Sequence, residues 1–204
     1  MFGIIRLIIG IIFLIFSIIV IRKSIVSHKR VLYFVSTGVA VALIAVLTIL
    51  PFENLFITFD SPKSSYEYYT SGKSNIELIV EGTDCDLVVD CKNDAYTCLI
   101  IPKNSNGWKI GTGLNTKRIF QKISNGITVY IYQYKNTNDY FITIFDTSGG
   151  ELEILDSYNT EFEFLKKNNE FIGKEFTTYY AYIPNFNSQY CVVVNGYEIV
   201  FEIQ

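Results

Sequence analysis

Between Phe2 and Ile21 only Arg6 and Ser17 interrupt an apolar run, and between Val31 and Leu50 only Tyr33, Ser36, Thr37 and Thr48 do. Each run is about 20 residues, the length of helix that crosses a ~30 Å hydrocarbon core. Residues 1–52 hold no Asp or Glu, and five of the 17 Lys and Arg. Residues 53–204 hold 12 Lys and Arg against all 20 Asp and Glu, a balance of −8. The chain therefore reads as two chemically different parts meeting near Pro51. The expected fold is a membrane-anchored all-β protein, with an N-terminal two-helix transmembrane hairpin followed by an antiparallel β-sandwich or barrel-like domain. Its expected parts are 1–52 (helices about 2–21 and 31–50, basic loop 22–30), a juxtamembrane strand and linker at 53–74, and an exported β domain at 75–204.

The first run is not expected to be a cleaved signal peptide. It starts at residue 2, ends at Ile21-Arg22-Lys23, and no small-residue cleavage site follows. The loop carries Arg22, Lys23, Lys29 and Arg30. Cytoplasmic loops concentrate Lys and Arg, so this loop is expected inside, with anionic lipid as a secondary contact. Both termini and residues 53–204 are then expected outside the plasma membrane. Gly3, Gly10 and Ser17 recur every seven residues, and Gly38, Ala42 and Ala45 offer small side chains on the second run. Small residues let helices approach closely, so these six are the expected helix-packing positions.

Beyond residue 53 the pattern is one of strands. Tyr190–Val194 and Tyr197–Phe201 flank Asn195-Gly196, and Asn-Gly between β-branched runs is a strong type I′ hairpin signal. The turn sets Val194 opposite Tyr197 and Val192 opposite Ile199. Ile127–Tyr134 and Asp139–Asp146 form a second hairpin, with Ile131 opposite Ile142 and Val129 opposite Ile144. Arg118–Ile123 and Glu151–Leu155 are expected to extend it as a meander. Further strands are expected at 55–60, 76–81, 86–91, 96–102 and 176–183, a short helix at 161–171, and a surface stalk at 60–75.

All four cysteines, Cys85, Cys91, Cys98 and Cys191, lie in the second part. In an exported domain an even count favours disulfides, and the expected pairs are Cys91–Cys98 and Cys85–Cys191. Asp84, Asp86, Asp90 and Asp94 crowd the same segment. They lack zinc-ligand or EF-hand spacing, so they are only weak calcium candidates, and no cofactor is expected.

The single His is His28, so Ser-His-Asp and Cys-His hydrolysis have no histidine in the second part. Gly111-Thr112-Gly113 lacks the rest of a nucleotide fingerprint, and the net charge of −3 disfavours nucleic acid. The second part holds 26 aromatic residues, 14 Tyr, 11 Phe and Trp108. Tyr130, Tyr132 and Tyr134 share one strand face. With Trp108 they form the candidate binding face, since Tyr pairs an apolar ring with a polar tip. The alternative is that this face is the second buried side of a strand. Fifteen Asn give no N-x-S/T sequon, which suits a bacterial envelope. The function expected is non-enzymatic binding of a protein, peptide or glycan in the cell envelope, in an accessory, sensing or immunity role. The alternatives are an enzyme using paired carboxylates, or a structural subunit of a membrane complex. Expected partners are the lipid bilayer and such an envelope protein, peptide or glycan.

Overall fold

The computed structural model describes the chain apart from residues 1, 27–29, 50, 73, 93–94, 114–115, 125, 148–149, 170–173, 185, 188 and 202–204. Side chains at 2–7, 24–26, 30, 32–33, 43–49, 52, 168–169 and 174 are likewise outside the description. The chain divides into two compact units, residues 1–57 with 67–73 and residues 58–66 with 74–204.

The first unit holds helix α1 (Phe2–Val26) and helix α2 (Arg30–Ile49), which pack against each other. Among the described residues no helix is long and apolar enough to cross a membrane. This corrects the expected transmembrane hairpin, together with the plasma-membrane localisation and the extracytoplasmic placement of both termini that rested on it. A Cβ added at Gly10 or Gly38 would meet nothing within 4 Å, so neither glycine marks a close backbone approach. Ser17 is half-buried and Ala42 exposed, while Gly3 and Ala45 lie on stretches whose side chains are not described. Arg22 and Lys23 are exposed near the end of α1, Arg30 opens α2, and Lys29 and His28 fall outside the described residues.

Helix α3 (Pro62–Tyr69) occupies the expected stalk. Ser61 caps it, its Oγ accepting from the Ser64 N–H at 3.1 Å, and Pro62 takes the first helical position, where its missing N–H costs nothing. The helix ends where Ser71 and Gly72 turn left-handed and the Gly72 N–H donates to the Glu67 carbonyl at 2.7 Å.

The second unit is built from three antiparallel sheets. The first sheet contains β1 (Ile76–Glu81), β2 (Cys85–Lys92), β3 (Ala95–Asn104) and the two-residue β4 (Gly107–Trp108), in that order. The central sheet contains β5 (Thr116–Ser124), β6 (Ile127–Tyr134), β7 (Asp139–Asp146), β9 (Glu163–Asn169) and β10 (Lys174–Pro184). Its order is β5-β6-β7-β10-β9. The third sheet contains β8 (Ile154–Asp156), β11 (Cys191–Val194) and β12 (Tyr197–Val200), with β11 in the middle. Both hairpins have the register their turns imply: Val194 faces Tyr197 and Val192 faces Ile199, while Ile131 faces Ile142 and Val129 faces Ile144.

The central sheet is covered on both sides because its strands are apolar on both sides. Val129, Ile131, Ile142, Ile144, Tyr179, Ala181 and Ile183 pack against Val192, Val194, Ile199 and Phe201 of the third sheet and its flank. On the other face Tyr134, Phe141 and Tyr180 meet Val80, Cys85, Leu87, Val89 and Ile100 of the first sheet. The far side of the first sheet is closed by Tyr66 of α3, which packs with Val88 and Ile101. The expected two-sheet sandwich or barrel is thus corrected to three sheets and three helices.

Local differences follow from pairing. Residues 163–169 form an edge strand on β10 instead of a helix, because tertiary pairing outweighs helix propensity. Residues 154–156 pair with β11, not with the β6–β7 meander. Residues 52–55 form a 3-10 turn, and only Phe59 of the expected 55–60 strand makes a bridge, to Trp108.

Candidate functional site: a tyrosine-lined cleft between two sheets

All four thiols are free, which corrects the expected disulfides. The β2–β3 ladder sets Cys91 opposite Tyr96 and Cys98 opposite Val89, so the two cysteines are out of step across the strands. Cys85 belongs to the first sheet and Cys191 to the third, with the central sheet between them. Asp86 accepts from Lys103 Nζ at 3.0 Å and Trp108 Nε1 at 2.5 Å. Asp90 accepts from Tyr66 Oη at 3.0 Å and the Asn75 N–H at 2.5 Å. Asp94 lies outside the described residues. Among the described residues no three His, Cys, Asp or Glu side chains are grouped to hold a metal.

Part of the candidate binding face does converge. Where the first and central sheets separate, they leave a cleft of about 810 Å³. Its floor is the central sheet. Across the strands, Tyr130 faces Thr143 and Thr143 faces Tyr180 in one row, and Phe145 faces Thr178 in the next. Phe145 stacks on Phe176 with ring centroids 5.7 Å apart. The roof is Leu87 of β2 with Tyr96, Cys98 and Ile100 of β3. Tyr132 also lines the cleft, whereas Tyr134, one step further along β6, is buried in the core. Trp108 lies on the far face of the first sheet, against Val88 and Ile101.

Arg118 enters the cleft by way of a bulge. The β5–β6 register sets Arg118 opposite Tyr132 and Phe120 opposite Ile131, with Ile119 the extra residue. A bulge turns the side chains that flank it to different faces. Phe120 accordingly packs on Phe201 beneath the sheet at 4.5 Å between centroids, while the Arg118 guanidinium lies 5.7 Å from the Tyr130 ring centroid above it. Among the described residues no carboxylate pairs with Arg118. Lys167 lines the opposite corner, on edge strand β9. Its Nζ lies 3.0 Å from Cys91 Sγ and 5.2 Å from the Tyr96 ring centroid.

Burial holds Tyr96, Cys98, Tyr132 and Tyr180 in their neutral forms at physiological pH. Burial raises the Tyr180 hydroxyl above its ordinary value, and the neighbouring Cys98 adds to this. Burial does the same at Tyr132, against the pull of Arg118, and at Tyr96, against the pull of Lys167. Cys98 opens on the cleft mouth, but its sulfur is crowded by the walls. This pushes the thiol up to about 11, although its hydrogen bond with Tyr180 acts the other way. The thiol is therefore a poor nucleophile at neutral pH. Thr143 is 8% exposed, and its buried Oγ1 has no hydrogen-bond partner among the described residues. Among the described residues no Asp or Glu lines the cleft.

A smaller hollow of about 440 Å³ lies beside Asp84 and Asp139. Asp139 is already engaged there. It accepts from the N–H groups of Thr83 at 3.3 Å and Asp84 at 2.5 Å, from Cys85 Sγ at 3.4 Å and from Tyr182 Oη at 2.6 Å. It serves as a structural acceptor that ties the β1–β2 turn to the start of β7.

No family model, curated protein or solved structure matches this chain.

Proposed function

We propose that the β-sheet unit is a non-enzymatic binding module that takes its ligand in the cleft between the first and central sheets. The observation that carries this reading is the lining itself, an open cleft between two sheets walled by Tyr96, Tyr130, Tyr132, Phe145 and Phe176. The volume suits a small ligand or a single segment of a peptide or glycan. Tyrosine rings supply rigid contact area with hydroxyl tips. Among the described residues the lining offers no carboxylate pair for acid–base work, and its thiol has a raised pKa.

The test uses Cys98 as a reporter in the full chain. Nile red, a neutral planar apolar probe, is added, and alkylation of each cysteine by N-ethylmaleimide is followed by peptide mass spectrometry. Occupancy of the cleft slows alkylation at Cys98 and leaves Cys191, on the third sheet, unchanged. Cys98→Trp, which plugs the cleft, removes the dye fluorescence that tracks this protection. Dye binding that leaves Cys98 reactivity unchanged would overturn the reading.

A further inference from the structure

Resting on the cleft reading, we infer that the ligand is a small monocarboxylic acid with an apolar or aromatic body, its carboxylate held by Arg118. The charge pattern carries the inference. Among the described residues the lining contains two cations, Arg118 and Lys167, and no acid; Glu77, outside it, acts on Tyr96 at the Lys167 corner, so the field favours an anion at the Arg118 end. The two cations differ in what already holds them. Lys167 Nζ is engaged by Cys91 Sγ and the Tyr96 ring. Among the described residues Arg118 makes a face contact with Tyr130 and no hydrogen bond or ion pair, which leaves the edge of its guanidinium fork available. A planar fork matches a carboxylate with two parallel hydrogen bonds. One such cation balances one negative charge.

The floor beyond Arg118 fixes the rest of the ligand. Tyr132 and Tyr130 come first, then Thr143 between Tyr130 and Tyr180, then the stacked pair Phe145 and Phe176. Ile100 and Leu87 cover this path from above. A body lying along it meets apolar and aromatic carbon on both sides. The bulge at Ile119 makes the arrangement possible, since it lets Arg118 reach the cleft while Phe120 stays in the core.

The experiment compares decanoate with decan-1-ol, which share a chain and differ in the acid group, by the same Cys98 protection in the full chain. Decanoate is expected to protect Cys98 at concentrations roughly ten-fold or more below those decanol needs, the ratio expected for one charge-assisted hydrogen-bonded pair. Arg118→Gln, at an exposed position, is expected to abolish that preference and leave decanol unchanged. Arg118→Lys is expected to restore part of it. Equal protection by acid and alcohol in the unmodified protein, or a preference that survives Arg118→Gln, overturns the carboxylate assignment while leaving the cleft reading intact. Failure of both compounds and of Nile red to protect Cys98 overturns both.

Discussion

Arg118 stands across from Tyr132 in the β5–β6 ladder, and only two residues later Phe120 stands across from Ile131, on the other side of the sheet. In a regular strand, residues two apart share a face. The extra residue Ile119 breaks that rule, and it does so where a cation is needed above the sheet and a core ring below it. A bulge leaves no period in the sequence, so the alternation rule places Arg118 and Phe120 together.

Asp139 ties the β1–β2 turn to β7 through four donors while only 2% exposed. Asp139→Asn sets an amide N–H against donors and weakens every charge-assisted bond. Urea denaturation is expected to show a loss of about 2–4 kcal/mol, with little change in Cys98 alkylation, because the knot lies outside the cleft.

The buried phenol of Tyr190 donates to Asp156 Oδ2 at 2.9 Å. Tyr190→Phe keeps the ring packed between Phe186 and Phe201 but leaves that buried oxygen with one donor fewer. A cost of about 1–2 kcal/mol in the denaturation midpoint is expected. Tyr158→Phe is expected to cost less, since Tyr158 is exposed.

Stability should fall on the alkaline side. Tyr132, Tyr180, Tyr182 and Tyr190 have pKa values raised above 10.0, chiefly by burial, and burial raises Cys98 from 9.0 to about 11. A raised pKa means that the folded state keeps a proton the unfolded chain releases. The contribution is therefore complete below the unfolded value and lost as pH climbs past it. Urea midpoints should hold up to about pH 9 and then decline. Tyrosinate absorbance should rise in two stages, the second coinciding with loss of folded signal.

Thiol counting checks the free cysteines. Four reactive thiols per chain are expected in denaturant without reductant. In the folded protein Cys85, fully buried, is expected to stay protected, while Cys98 reacts slowly at pH 7 and faster as pH approaches 11. Recovery of only two thiols without reductant would contradict the ladder geometry.

Two hairpins were legible in the sequence, β6–β7 of the central sheet and β11–β12 of the third. Asn195-Gly196 and the alternation in β6 and β7 are local signals, and they determine register as well as existence. The tyrosine row on β6 was legible as a face, but not where it divides. Tyr134 is sealed by the first sheet and Tyr130 opens on the cleft, and that division depends on how two distant sheets diverge. Ser61-Pro62 was a readable helix start, masked by the polar character of its surroundings. Arg118, Thr143 and Lys167 had no local signature. They meet only through the strand order of the central sheet and one bulge. The disulfide expectation failed because an even count and an assumed compartment say nothing about which sheet each cysteine joins.

Strand β10 lies between β7 and β9, although β9 precedes it in the chain. During synthesis from the N-terminus, β7 is complete at Asp146, but its pairing partner begins only at Lys174. At ~5–20 residues per second the apolar edge of β7 therefore waits for seconds with its N–H and C=O groups unpaired, a template for another nascent chain.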